Sequence, residues 1–479
     1  MKKPKLIIVA VTFAVAISPA VAFAFKPEQL LNRMNLFLIR QMEFFDPIRP
    51  YDQPPLIQTY GWDTNLPLPP IELNPPPCGN LPCAPSPIWQ IAYRGDIYDQ
   101  SLAAIFFAEK ARLDFIRGSD GRENFSRAKK LLDAIIFLEE FDPYHDGRIR
   151  TAYWANDLLN PERTASSIMD PSTGIGNICY FGIALTRFYY VSKVTNYLDP
   201  NERQQYIEIA REKADWIISH CKDDKGPGGF TGGYDDWTQI PFTWKSTEHN
   251  IDAYVFARNL YAIDRDTKWL EMAGYAQIFV QSMYVKVDRQ HGYYQTGTLE
   301  DGITPNPTPI PVDAQVWTAL ARNNETRIDT SERAKCAIRW LLDPDNGLLQ
   351  DCCDCQTDCR CHGVKFSMEG TNIQIEISAS TAMALYLMNQ KKDATCFFNC
   401  LDWVSLNAQP DYDGIEDTIG IVATPSLEGA WTGYGEYAWY YKLLHTASSA
   451  WTGMAVLVAQ GDKMANPLMP LPKNLNCPR

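Results

Sequence analysis

Apolar residues recur along this chain at helical spacing, and strand-like alternation is scarce. Two kinds of helix can be told apart. One is apolar almost all round, rich in Ala and Gly, and opens on polar or acidic residues. Its instances are Tyr98-Asp99-Gln100-Ser101-Leu102-Ala103-Ala104, Thr173-Gly174-Ile175-Gly176-Asn177 running to Leu185, and Thr247-Glu248-His249-Asn250-Ile251-Asp252-Ala253-Tyr254. Three more follow: Pro311-Val312-Asp313-Ala314-Gln315-Val316-Trp317, Gln374-Ile375-Glu376 running to Leu387, and Ala447-Ser448-Ser449-Ala450-Trp451 running to Val458. The other kind is amphipathic with a charged face, predicted over 125–140, 201–220, 267–286, 331–342 and 393–407.

A helix that is apolar on every side must be enclosed by protein, whereas its amphipathic partner faces water. The apolar helices begin about 62 to 76 residues apart, the length of two helices plus their loops. The sixth has no follower, while an amphipathic stretch over 27–45 has no predecessor. Pairing these two ends closes a ring. The pattern therefore predicts an all-α fold, an (α/α)6 toroid of six helical hairpins forming a single domain over 25–465. Two or three unrelated helical bundles are the competing arrangement, and the near-regular interval argues against them.

The ends of the chain differ from this body. Residues 48–87 are Pro-rich and predict an extended N-terminal arm, and 466–479 form a Pro-rich tail of the same character. Lys2, Lys3 and Lys5 precede an apolar stretch over 6–17, and Pro19 stands before two small-residue sites ending at Ala22 and Ala24. Residues 1–24 thus read as a secretory signal peptide, so the mature chain is expected outside the cytoplasm, secreted or periplasmic, with no membrane insertion after cleavage. Thirteen cysteines suit an oxidising compartment. The run from Cys352 to Cys361 reads as a loop stapled by disulfides, with Cys396 and Cys400 as candidate partners, rather than as a zinc site. Asp411, Asp413, Glu416 and Asp417 match no EF-hand and read as a solvated turn. With 44 Lys plus Arg against 57 Asp plus Glu, the net charge of −13 argues against a nucleic-acid partner. No metal and no cofactor is expected, and the sequence is silent on oligomeric state.

In a closed ring the inner helices all run the same way. Their N-termini meet at one end, where unpaired N–H groups and positive dipole ends favour carboxylates and polar ligands. Tyr98-Asp99, Asp146-Gly147-Arg148-Ile149-Arg150, Ser172-Thr173-Gly174, Gly228-Gly229-Phe230-Thr231-Gly232-Gly233, Ser246-Thr247-Glu248-His249-Asn250-Ile251-Asp252, Pro311-Val312-Asp313-Ala314-Gln315 and Glu369-Gly370-Thr371 lie in this order along the chain. In pattern and order, over 88–467, the sequence resembles the six-hairpin glycosidase-like superfamily, with no particular family assigned. The resemblance implies an (α/α)6 barrel acting on carbohydrate, usually through paired carboxylates, in a superfamily that also holds lyases and epimerases.

The rim acids are accordingly the candidates. Glu248 and Glu369 are the expected catalytic pair, with Asp313 and Asp252 assisting; Glu248 and Asp252 are four residues apart, on one helix face. A lone acid at a helix start is ordinarily a cap or dipole partner. Three polar groups opening an apolar helix, as at Glu248, His249 and Asp252, weigh toward a site. Asp99, His249, Gln315 and Glu376 are the expected polar contacts to substrate. Tyr234, Trp237, Trp244 and Trp317, with Trp154, Tyr293 and Tyr294, are candidate stacking surfaces for sugar rings. The leading expectation is a glycoside hydrolase acting on poly- or oligosaccharide. The alternatives are a polysaccharide lyase using His249 with Tyr254 or Arg148, and a non-catalytic carbohydrate-binding or envelope scaffold.

Overall fold

In chain order the amphipathic helices are α1 (Pro27–Glu43), α3 (Arg122–Glu139), α5 (Pro200–Cys221), α7 (Thr267–Ser282), α9 (Ser331–Leu342) and α11 (Lys391–Asn407). Between them run the apolar helices α2 (Ile97–Ile116), α4 (Ile175–Thr195), α6 (Thr247–Asp264), α8 (Val312–Leu320), α10 (Ile375–Leu387) and α12 (Thr446–Ala459). The computed structural model describes residues 25–43, 56–61, 94–140, 142–155, 168–235, 238–352, 362–410, 419–435, 438–473 and 475. The expected signal peptide, most of the Pro-rich arm, Trp237, the cysteines between 353 and 361 and the acids between 411 and 417 lie outside the described residues. Among those residues no helix is long and apolar enough to cross a membrane.

The apolar helices form a closed inner ring: α2 packs on α4, α4 on α6, α6 on α8, α8 on α10, α10 on α12, and α12 back on α2. Each amphipathic helix packs outside its predecessor, and α1 packs outside α12, closing the outer layer across the two ends of the chain. This is the (α/α)6 toroid. The surrounded environment shows in α10, where every residue from Ile375 to Leu385 is buried. Small residues let the inner helices approach. A β-carbon added at Gly182 on α4 would stand 2.2 Å from the Phe256 ring on α6, and one at Gly453 on α12 would stand 2.5 Å from Phe106 on α2. Three outer helices, α5, α7 and α9, begin on ordinary caps, the side chains of Asp199, Asp266 and Thr330 each accepting from a first-turn N–H.

Two expectations shift in detail. The helix foreseen over 267–286 stops at Ser282, because Tyr284–Lys286 pairs antiparallel with Gly292–Tyr294; Tyr and Val suit a pleated ladder better than a helix terminus. The cysteine loop is anchored by a disulfide from Cys352 to Cys400 on α11, with Cα atoms 5.7 Å apart. Cys396, the other candidate partner, stands one turn earlier on the same helix.

The two ends of the barrel are finished differently. At the C-terminal ends of the inner helices, Arg187 and Glu109 are fully buried and paired at 2.7 Å. Arg112 joins Glu109 to Asp462 at 2.7 and 2.6 Å. The extended tail then crosses this end. Arg187 donates to the carbonyls of Met464, Asn466 and Met469 at 2.5–2.7 Å, and Asn466 donates to Leu320 at 3.0 Å. A buried pair that loses one partner leaves an uncompensated charge. Glu109→Gln is therefore expected to lower stability by about 3–5 kcal/mol in equilibrium denaturation, while ligand binding at the opposite end is unchanged in the folded protein.

Candidate functional site

The other end of the barrel holds a cavity of about 600 Å³. All six inner helices contribute to it from their first two turns or caps: Tyr98 and Asp99, Gly176 and Tyr180, Glu248, His249 and Asp252, Asp313 and Trp317, Glu376, and His445 before α12. Short two- and three-stranded ladders between outer and inner helices bring the remaining walls. In the sheet of Arg94–Asp96, Ala152–Trp154 and Ile168–Asp170, the register sets Asp96 and Asp170 on either side of Ala152. Arg94 bridges them, with Nη2 2.8 Å from Asp96 and 3.0 Å from Asp170. The described piece of the Pro-rich arm, 56–61, is pinned by Gln100, which donates to the Ile57 carbonyl at 2.6 Å and accepts from its N–H at 2.9 Å. It delivers Thr59 and Tyr60 to the cavity.

Tyr98, Tyr180, Trp317 and Trp451 pack edge to face or stacked, with ring centroids 4.6–5.8 Å apart from one to the next. Tyr98, Tyr180 and Trp317 line the cavity. Tyr60, Phe366, Trp439, Tyr440 and Tyr441 supply further aromatic wall.

Four carboxyls, Asp99, Asp252, Asp313 and Glu376, are buried against this apolar surface, and Glu248 is half-buried beside them. Glu248 is held well above the ordinary carboxylate range, first by burial and then by Asp313, Asp252 and Glu376. It shares a hydrogen bond with Asp313, which burial pushes up to about 7 against the pull of the Ala314 N–H. Glu248 thus carries the proton of this pair and donates it to Asp313. Glu376 is pushed up to about 7 by burial, opposed by hydrogen bonds from Tyr98 and Gln374. The Tyr98 hydroxyl, itself accepting from Trp451 Nε1 at 2.9 Å, donates to Glu376 Oε1. Asp99 accepts from the Ala447 N–H at 2.8 Å and lies 3.2 Å from the Thr59 hydroxyl, yet burial, Asp96 and Glu376 raise it well above its usual value.

Two imidazoles face the same space, and both are neutral. Burial pushes His249 down to about 4 and His445 to about 3. His445 Nδ1 accepts from the Ser448 N–H at 3.2 Å, capping α12 and leaving its Nε2–H 3.8 Å from Asp99. His249 fits beside α4 because position 176 is glycine, where an added β-carbon would stand 2.7 Å from the ring. His249 Nδ1, both oxygens of Asp252 and Trp317 Nε1 are buried without a hydrogen-bond partner. Orphaned buried polar atoms around a cavity mark a place where a polar ligand completes the hydrogen bonding.

Of the residues singled out from sequence, Glu248, Asp252, Asp313, Asp99, His249, Trp317 and Glu376 converge on the cavity. Glu369 does not line it. Its carboxylate accepts from Thr308 Oγ1 at 2.7 Å and from the Ile310 N–H at 2.9 Å, fixing the loop before α8. Gln315 likewise clamps backbone, bonding both the N–H and the carbonyl of Tyr294. Tyr234 packs on Arg148, its ring centre 5.1 Å from the guanidinium, away from the cavity. Trp244 backs His249, ring centres 5.9 Å apart, without reaching the lining. Tyr294 is buried with its hydroxyl on Asp329, and Tyr293 packs on Trp340. Sequence reasoning missed Tyr98, Tyr180, Arg94 and His445. The helix-start position of Tyr98, one residue before Asp99, was the available signal.

At the level of sequence, no family model and no curated protein matches the chain. Solved structures do match in fold. A sugar epimerase from a ruminal bacterium aligns at 9% identity with TM-score 0.55, covering 90% of this chain and 99% of that one. The cellobiose 2-epimerase of Spirochaeta thermophila aligns at 10% and 0.54, covering 91% and 98%. A family 76 glycoside hydrolase, a mannosidase from Bacteroides thetaiotaomicron, aligns at 8% and 0.53, covering 90% and 99%. The chain shares with these structures the (α/α)6 toroid fold.

Proposed function

We propose that this protein is an exported carbohydrate-active enzyme, and that its cavity hydrolyses glycosidic bonds. The observation that carries the reading is the proton-sharing pair Glu248–Asp313 set in one aromatic-walled cavity with Glu376. At about 600 Å³ the cavity lies within the 300–1,000 Å³ usual for small-ligand sites, and sugar faces stack on such rings. Glu248, protonated and half-buried, is the general acid to the leaving oxygen; Glu376, positioned by Tyr98, is the ionised partner on the other side of the bond. Asp313 fixes the proton on Glu248. Glu369 is not part of this machinery. Export is supported by the N-terminal sequence and by the Cys352–Cys400 disulfide. Arg148, wanted as a uronate neutraliser in the lyase reading, is tied to Asp146 and Gln239 outside the cavity, and Tyr254 bonds Thr326.

A second reading is favoured by the neutral imidazoles of His249 and His445. Proton transfer at the carbon next to the carbonyl of an open-chain sugar, as an epimerase performs, needs such groups. The two separate in heavy water. An epimerase exchanges deuterium into C2 of a reducing disaccharide, whereas a hydrolase releases monosaccharide with C2 unlabelled.

Hydrolysis of a glycan panel tests the leading reading. Glu248→Gln and Glu376→Gln are each expected to lower kcat by about a hundredfold or more with thermal unfolding nearly unchanged, and Glu369→Gln to leave kcat within a few-fold. Full activity in either of the first two removes that residue from the mechanism. The pH profile follows from the same groups. As pH falls through about 7, Glu376 takes up a proton and the base is lost, so kcat declines on the acid side. Glu248 is held well above the ordinary carboxylate range, first by burial and then by Asp313. In Tyr98→Phe the acid limb moves to higher pH, because the hydrogen bond that favours the Glu376 carboxylate is gone.

A further inference from the structure

Asp252 is the acid in this cavity that no group among the described residues satisfies. It is fully buried, lines the cavity, and neither carboxyl oxygen has a hydrogen-bond partner. The other acids are occupied: Asp96 and Asp170 by Arg94, Asp99 by the Ala447 N–H, Asp313 by the Ala314 N–H and Glu248, and Glu376 by Tyr98. A capping role is closed to Asp252, which stands more than a turn inside α6. The titratable groups facing it are Glu248 and His249 on its own helix, Cys179 and Tyr180 from α4, and Asp313 from α8. None brings a positive charge. Among the residues lining the cavity Arg94 is the permanent cation, and it is already paired with two aspartates.

Two ligand groups can complete a buried carboxyl of this kind. Sugar hydroxyls would leave it protonated, whereas an ammonium would make it ionise and form charge-assisted hydrogen bonds. The charge around it decides between them. Asp99, Glu248, Asp252, Asp313 and Glu376 crowd one low-dielectric space without a free cation, so a positive group entering there relieves the carboxyl crowding that neutral hydroxyls leave in place. We propose that the sugar ring seated at Asp252 carries a free amino group, so that the substrate class is an amino sugar with an unacetylated amine. This rests on the reading of the cavity as a sugar site. An acetylated amine has no charge to offer, and a uronate meets repulsion from every side.

Titration calorimetry of the full chain at neutral pH, in two buffers of different ionisation enthalpy, tests this with D-glucosamine, D-galactosamine, N-acetyl-D-glucosamine, D-glucose and D-glucuronate. The expected result is binding of at least one free amine about tenfold tighter than D-glucose or the acetylated sugar, with proton release on amine binding and none with D-glucose. Asp252→Asn is expected to abolish both the preference for the amine and the proton release. Should that variant fail to fold, the parent's amine preference and proton release decide the matter. Equal affinity for amine and D-glucose overturns the amino-sugar inference and leaves the sugar site standing. Absence of binding by all five sugars overturns both.

Discussion

Closure of the inner ring is the constraint from which the rest follows. Six helices that are apolar on every side can bury themselves only against one another, and a closed ring of parallel-running helices puts all their N-termini at one mouth. The polar residues that open them, Asp99, Glu248, Asp313 and Glu376 among them, are then forced into a shared space that the helix bodies keep dry. In such a space a carboxyl keeps its proton unless something compensates its charge. The chain supplies little compensation there. The acid cluster is thus a consequence of topology combined with the choice of residues at each helix start.

The opposite end of the barrel shows what the same chain does when a buried charge is structural. Glu109 has Arg187 and Arg112, and Arg187 has in addition three carbonyls of the crossing tail within 2.7 Å. Both oxygens of Glu109 are paired with guanidinium groups, and the tail covers Arg187 completely. At the mouth, Asp252, His249 and Trp317 have orphaned atoms and open space in front of them. The contrast separates a polar cluster built to hold the fold from one built to meet a ligand, and it does so within one molecule.

Much of this was legible in the residues. The alternation of all-apolar and amphipathic segments carries the toroid, because burial on every side admits few arrangements, and Pro27–Glu43 packing outside α12 answers the count of unpaired ends. The site was half legible. Glu248 and Asp252 announce themselves by spacing on a helix, but Glu369 and Glu376 stand a few residues apart at the same helix entrance, and only backbone geometry tells which one the loop consumes. Thr59 and Tyr60 were hidden because an arm read as Pro-rich covering also threads between α2 and α12. His445 was hidden because a capping residue and a cavity wall look alike in a string of letters.

The central claim is that the closed ring encloses the mouth carboxyls with no unpaired cation among the described lining residues, and so raises their proton affinity above the ordinary carboxylate range. Carbon-13 NMR of side-chain carboxyls in Asp- and Glu-labelled protein, followed through a pH titration of the unliganded chain, measures this directly. The account predicts a small set of carboxyl resonances, removed one at a time by Asn or Gln substitution at 248, 252, 313 and 376, that titrate well above the ordinary carboxylate range, those of Asp313 and Glu376 at about 7. If every carboxyl of the folded protein titrates in the ordinary acidic range, near about 4, the mouth is wet, and the chemistry assigned to it is contradicted.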